Sequence, residues 1–229
     1  MQTLSHQDIS IISSCALFRN LDAQAIIPTL DGSVSSCSAG QFLIQENEKI
    51  DRLWILLSGI LHASRFESSG QEFLYQQILP SYMAGGEVVC TPRKNSPYGI
   101  YASTDCRLWS FPWEKLEGAS IPLELRLSLM QNLLTFVSNQ NIRKYYKIEA
   151  LSVKGARERI MKYLTAQAIR AHSCSFTIHM DREAMANYLC VNRSVLSHEL
   201  KKMESEGLLK FHKNQFTLIG DACPDVVKA

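Results

Sequence analysis

Several kinds of segment are missing from this chain of 229 residues. No stretch approaches the roughly 20 apolar residues of a membrane span, so a membrane-spanning role is not expected. The opening, MQTLSHQDISIISSCALF, lacks a basic start and a long apolar core, and does not read as a signal peptide. No Gly-rich phosphate loop and no Gly-x-Ser-x-Gly nucleophile turn occurs. The seven cysteines are scattered and odd in number, with no C-x-x-C pair. A reduced cytoplasm is therefore the simplest setting. His62, His172, His179 and His212 show no metal-ligand spacing. No catalytic residue, metal site or cofactor is expected.

Charge of either sign is also modest. Charged residues make up 20% of the chain and the formal net charge is +2. The balance is uneven along the sequence. From Leu151 onward 12 Lys and Arg face 8 Asp and Glu, whereas the preceding part holds 12 against 14. A mildly basic C-terminal part suits a phosphate-backbone partner. The length suits two domains better than one.

The most informative stretch runs from Asp181 to Leu209. Asp181 is an N-cap candidate for a short helix reaching Tyr188. Cys190, Val191 and Asn192 make a tight break. A second helix then spans about Arg193 to Glu206, with Val195, Leu196, Leu200 and Met203 near helical spacing and Gly207 at its stop. Asn192, Arg193, Ser194, Ser197, His198 and Lys201 collect on the outer side of that helix, where polar side chains can meet base edges or phosphates. Leu208 to Phe211 and Phe216 to Ile219 read as two short strands around a turn, forming a wing. Two helices with a tight turn are the core of a helix-turn-helix.

Between Ser33 and about Pro112 the texture differs. Apolar runs at Gln41 to Gln45, Arg52 to Leu57, Ile60 to Phe66, Glu72 to Leu79, Ile100 to Ser103 and Arg107 to Phe111 alternate with turn residues. That rhythm predicts an antiparallel barrel or jelly roll. From Ile121-Pro122 no glycine or proline interrupts the chain until Gly155. Leu123, Leu127, Met130, Leu134, Val137, Asn141 and Ile148 form a near-heptad stripe there. A helix of about 30 residues is about 45 Å long, and a second helix is its natural cover, giving a parallel coiled-coil homodimer. Residues 221–229 read as a loose tail.

These segments together resemble the Crp/Fnr family of bacterial regulators. The residues carrying the resemblance are Met185 to Leu189, Asn192 to Ser197, Leu200 to Glu204, and Gly207 in the C-terminal part. In the barrel they are Gly40, Glu46, Leu53 to Gly59, Gly70, and Gly86-Glu87. The resemblance implies an α+β architecture: an N-terminal β-roll that senses an effector (1–119), a dimerisation helix (120–151) and a winged helix-turn-helix (152–229). It implies that Arg193 reads guanine, that Ser194 and His198 depart from the usual glutamate and arginine, and that Ser152 to Gly155 form a hinge. Partners would be a palindromic double-stranded promoter site, a second copy, a small effector, and RNA polymerase as a further candidate.

Family members that bind cyclic AMP hold its ribose with a glutamate and its phosphate with an arginine. The resemblance places these at Glu87 and Ser96. Serine cannot neutralise a phosphate, and Arg93 and Lys94 are out of register. The expected effector is therefore not a cyclic nucleotide. Gly86, Glu87, Tyr98, Tyr101 and Asn141 are its candidate lining, although Glu87 is equally read as capping backbone N–H groups. Two alternatives stay open. One is a thiol switch between two of Cys15, Cys37, Cys90, Cys106, Cys174 and Cys190. The other is a cupin-like β-roll enzyme, for which the barrel offers His62 alone.

Overall fold

A computed structural model of the chain describes residues 4–118 and 121–228. It comprises two compact units, Met1–Gln140 and Asn141–Ala229.

The first unit opens with helix α1 (His6–Ser13). Ser5 caps it in a reciprocal box with Asp8. Arg107 then donates twice to the Asp8 carboxylate, at 2.9 and 3.1 Å, and fastens the helix to the sheet. Burial and this guanidinium act on Asp8 in opposite directions, and the net result holds its carboxyl below the usual range. Helix α2 (Ala23–Ile26) follows, capped by Asp22.

Eight strands come next: β1 (Ser33–Cys37), β2 (Phe42–Ile44), β3 (Arg52–Ser58), β4 (Leu61–Phe66), β5 (Glu72–Ile78), β6 (Met83–Ala84), β7 (Gly99–Ala102) and β8 (Cys106–Pro112). They form two antiparallel sheets, ordered β1-β8-β3-β6 and β2-β7-β4-β5. The sheets share one core, including Leu53, Ile55, Leu61, Ile100, Leu108 and Phe111. The centres of β3 and β8 are buried on both faces, so they read as continuous apolar runs rather than alternations. The expected runs fall on six of these strands. The other two escape notice, β1 because three of its five residues are serine and β6 because it is only two residues long, and they pair with β8 and β3. Two short helices, α3 (Gly86–Val89) and α4 (Glu114–Glu117), decorate the roll.

Helix α5 (Leu123–Leu151) is a single run of 29 residues. Its first part has two apolar faces. Leu129, Leu133 and Phe136 are buried in the core of the roll. Leu127 and Leu134, on the stripe singled out above, are 59% and 67% exposed, with Met130 and Val137 half-buried beside them. The expected domain boundary at 119 and 120 lies outside the described residues. The two compact units part inside α5, between Gln140 and Asn141.

The second unit contains α6 (Ala156–Ala171), β9 (Ser175–Thr177), α7 (Arg182–Leu189), α8 (Arg193–Ser205), β10 (Leu209–His212), β11 (Gln215–Leu218) and α9 (Asp225–Lys228). Its sheet is ordered β10-β11-β9 and antiparallel. Its core gathers Ile160, Leu164, Phe176, Met185, Leu196, Leu200 and Phe216. The tail differs from expectation. Cys223 is buried and disulfide-bonded to Cys174, and α9 packs against α6. The short spacing of Val227 and Cys223 hid a buried anchor. Among the described residues no helix is long and apolar enough to cross a membrane.

Candidate nucleic-acid interface and effector site

The helix pair is built by capping and burial. The Asp181 side chain accepts the Ala184 N–H at 2.8 Å and opens α7. Ala184, Met185, Ala186 and Leu189 bury its inner face. Cys190 ends it in the left-handed region, φ +52°, and the Val191 N–H reaches back to Ala186 O at 3.1 Å. Asn192 then starts α8 with no side-chain bond to the helix. Leu196, Leu200 and Met203 are fully buried, and Gly207 at φ +76° lets the chain turn away.

That burial fixes what points outward. Asn192, Arg193, Ser194, His198 and Lys201 are exposed, and Ser197 is half-buried. Positions 193, 194, 197, 198 and 201 share one helical face. Val195, counted above among the apolar residues of this helix, is 38% exposed and lies beside them. Arg193 meets Glu183 of α7 at 3.5 Å, with both side chains largely exposed. Such a pair is weak and screened, so Arg193 exchanges partners readily.

The wing has a support that sequence reasoning missed. Lys213 occupies the β10–β11 turn at φ +53°. Arg182 lies over the Phe211 and Phe216 rings, 5.1 and 5.2 Å from their centroids, and donates to Lys213 O at 2.6 Å. Burial alone moves the Arg182 guanidinium below its ordinary value. The signal available in sequence was an arginine directly after an N-cap, which by itself reads as a surface charge.

The effector candidates divide. Gly85, left-handed at φ +80°, turns the chain into Gly86 and Glu87. The Tyr98 hydroxyl donates to Glu87 Oε1 at 2.6 Å. Burial, and then the Glu87 charge, push the Tyr98 hydroxyl well above its ordinary pKa, so Tyr98 stays a donor. Ser96 is fully buried, and its hydroxyl donates to Tyr98 O at 2.6 Å. Lys94 is engaged by Glu117 at 3.2 Å, and Arg93 is exposed. Tyr101 belongs to a different cluster. It donates to Glu72 at 2.8 Å and lies 3.1 Å from His62 Nδ1. Asn141 is exposed and falls in the second unit. Glu87 and Tyr98 are thus brought together, and Tyr101 bonds within a separate cluster. Among the described residues no cluster of three His, Cys, Asp or Glu side chains suits a metal ion.

The chain matches two family models, a cyclic nucleotide-binding domain over residues 34–119 and a Crp-like helix-turn-helix domain over residues 158–221. The transcriptional activator protein Anr of Pseudomonas protegens is 25% identical over 177 residues, covering 74% of this chain and 70% of that protein. Among solved structures, FixK2 from Bradyrhizobium japonicum superposes with a TM-score of 0.66 at 18% identity, covering 83% of this chain and 94% of its own. A CooA mutant from Carboxydothermus hydrogenoformans gives a TM-score of 0.70 at 13% identity, covering 94% and 93%. At those identities the structural likenesses are of fold.

Proposed function

Since the chain belongs to the Crp/Fnr family of transcriptional regulators, we propose that it acts as a cytoplasmic homodimer on a palindromic promoter site. It is a DNA-binding regulator and not an enzyme, as its relatives are, and the cupin-like reading falls away. The observation that carries the proposal is the sorting of α8. Leu196, Leu200 and Met203 are buried, Val195 is partly exposed beside the polar side, and residues 193, 194, 197, 198 and 201 form one outward polar face headed by Arg193. Two such faces, presented about one DNA turn apart, match the half-sites of a palindrome. Asn192, Arg193, Ser194, Ser197, His198 and Lys201 are the contacts proposed. The stripe Leu127, Met130, Leu134 and Val137 on α5 is the dimer seam proposed, since its outer leucines have no cover within the first unit. RNA polymerase is the further partner proposed, on the strength of the relatives' naming as activators.

The effector proposed for the roll is not a cyclic nucleotide. Glu87 is engaged by Tyr98, and Ser96 is buried and spends its hydroxyl on the backbone. Ser96 stands where the resemblance places the phosphate-holding arginine, Lys94 pairs with Glu117, and an unmatched buried charge is costly. Selecting duplexes from a random-sequence pool with the purified protein tests the DNA reading. A palindromic motif is expected, and enrichment of no motif refutes it. Titration with cyclic AMP and cyclic GMP tests the effector reading, and micromolar binding of either overturns it.

One observation favours a second layer of control by thiols. The pair concerned is Cys174 and Cys223 rather than any pairing anticipated above, because folding brings their Cα atoms to 5.6 Å. Two thiols there pass two protons and two electrons to one glutathione disulfide, which leaves as two glutathione thiols. Thiol counting on protein equilibrated in glutathione buffers tests this. Two thiols lost reversibly support it, and no change across the range refutes it.

A further inference from the structure

The direction of α8 is set at its start, by the turn that joins it to α7. That turn is held only in part by its own residues, through the Val191 N–H to Ala186 O at 3.1 Å. Cys190 sits in the left-handed region without being glycine, a state that costs energy and persists only where its surroundings hold it. The Asn192 side chain gives α8 no cap bond. The last carbonyls of α7 have no partner inside their own helix.

One side chain from another element supplies what is missing. Arg159, in the first turn of α6, donates through Nη1 to Leu189 O at 3.1 Å and to Cys190 O at 2.9 Å. Its Nη2 donates to Val153 O at 3.2 Å. Val153 belongs to the linker between α5 and α6, the segment read from sequence as a hinge. A single planar fork therefore joins that linker to the turn before α8. Its charge also meets the negative end of α7. The Nε of the same guanidinium is buried with no hydrogen-bond partner. Leaving a buried donor unsatisfied is unfavourable, and the arrangement persists because the fork has to reach three carbonyls at once. Other ties to α6 are of a different kind. Arg157 pairs with Glu206, and Lys162 pairs with Glu149 at 2.8 Å. Both pairs are between partly exposed side chains and are screened.

We propose that Arg159 is the positioning residue through which the α5–α6 linker sets the orientation of the DNA-reading helix. The proposal rests on the reading of α8 given above. Arg159 itself touches no base. It acts through the Leu189 and Cys190 carbonyls, so a displacement of Val153 arrives at the start of α8 as a change of angle. Lysine in its place keeps the charge but has one nitrogen, which cannot span linker and turn together.

The test uses the full chain in wild-type form and as Arg159→Lys, Val153→Gly and the double variant. Each is measured on a duplex selected by the wild type, on a scrambled duplex of equal length at low salt, and by thermal melting. Arg159→Lys is expected to lose roughly 10- to 100-fold on the selected duplex, as misaligned base contacts do. Its affinity for the scrambled duplex is expected to stay within about 2-fold, since that binding follows total charge. Val153→Gly is expected to weaken selected-duplex binding in the wild type and to add nothing in the lysine background. Equal losses on both duplexes with a lowered melting temperature mean a merely structural arginine and overturn the proposal. So do additive effects in the cycle. A wild type that binds neither duplex refutes the DNA-reading helix, and hydrogen exchange then decides the positioning claim on its own. Arg159→Lys, or Val153→Gly where the lysine variant does not fold, must speed exchange of the Val191 amide. Unchanged exchange at Val191 overturns it.

Discussion

Shortening Leu134 to alanine separates the two apolar faces of α5. Leu134 is 67% exposed in the single chain, so about two thirds of its side chain waits to be covered. The substitution removes three carbon groups, each contributing about 0.8 kcal/mol when buried. Covering two thirds of them gives about 1.6 kcal/mol per copy and about 3 kcal/mol for a symmetric pair. That is roughly a hundredfold in the dimer dissociation constant. Alanine keeps the helix propensity, so the fold of the single chain has no reason to change. Leu129, five residues earlier on the same helix, is fully buried in the roll. Leu129→Ala is expected to cost about 2–5 kcal/mol of folding stability through cavity formation. Sedimentation equilibrium over a wide concentration range reads the first effect, and urea unfolding reads the second. The reasoning fails if Leu134→Ala leaves the dimer constant within about twofold, or if its main effect is on the unfolding midpoint of the monomer.

Three further outcomes are expected. Arg193→Ala should remove about 1–3 kcal/mol of discrimination at one base pair per half-site, and a binding motif identical to the wild type's contradicts the assignment. Cys223→Ser opens a cross-link between residues 49 apart, and chain entropy puts the loss at about 4 kcal/mol; a urea midpoint equal to that of the oxidised wild type refutes this. Lys147 lies over the Tyr188 ring at 3.9 Å, and burial pulls it down to about 8. A base whose folded pKa is depressed is penalised while charged in the fold. The penalty is complete below about pH 8 and relaxes as pH rises toward the unfolded value. Lys147→Met is therefore expected to be more stable than wild type at pH 7, with the gap closing by about pH 10, and a gap that is constant with pH in paired urea titrations counts against it.

The architecture was legible wherever burial is one-sided or continuous. The helical repeat of Leu196, Leu200 and Met203 marked α8, and all three are fully buried. The unbroken run from Leu123 marked α5 nearly to the residue. The roll was legible from its apolar strands. It was not legible at β1, whose five residues include three serines, because that strand is held by its register with β8 rather than by its own side chains. On α5 the sequence marked the stripe through Leu127 and Leu134, yet the buried residues Leu129, Leu133 and Phe136 went unremarked. Two interleaved apolar faces on one helix blur each other's period, and only the position of the roll separates them.

The arrangements that bear on control were the least legible, and for one reason. Glu87 and Tyr98 are eleven positions apart, Arg159 and Cys190 thirty-one, Cys174 and Cys223 forty-nine. Periodicity reports which face of an element is covered. It does not report which single side chain crosses to another element. Arg159 shows the difference well. In sequence it is one of two arginines opening a helix, and its neighbour Arg157 makes an exposed pair with Glu206. Nothing in residue type separates them. The separation comes from the turn that Arg159 faces, where it donates to the carbonyls of Leu189 and of the left-handed Cys190. The turn closes in part on its own backbone and is tied further by the element that leads in from the linker.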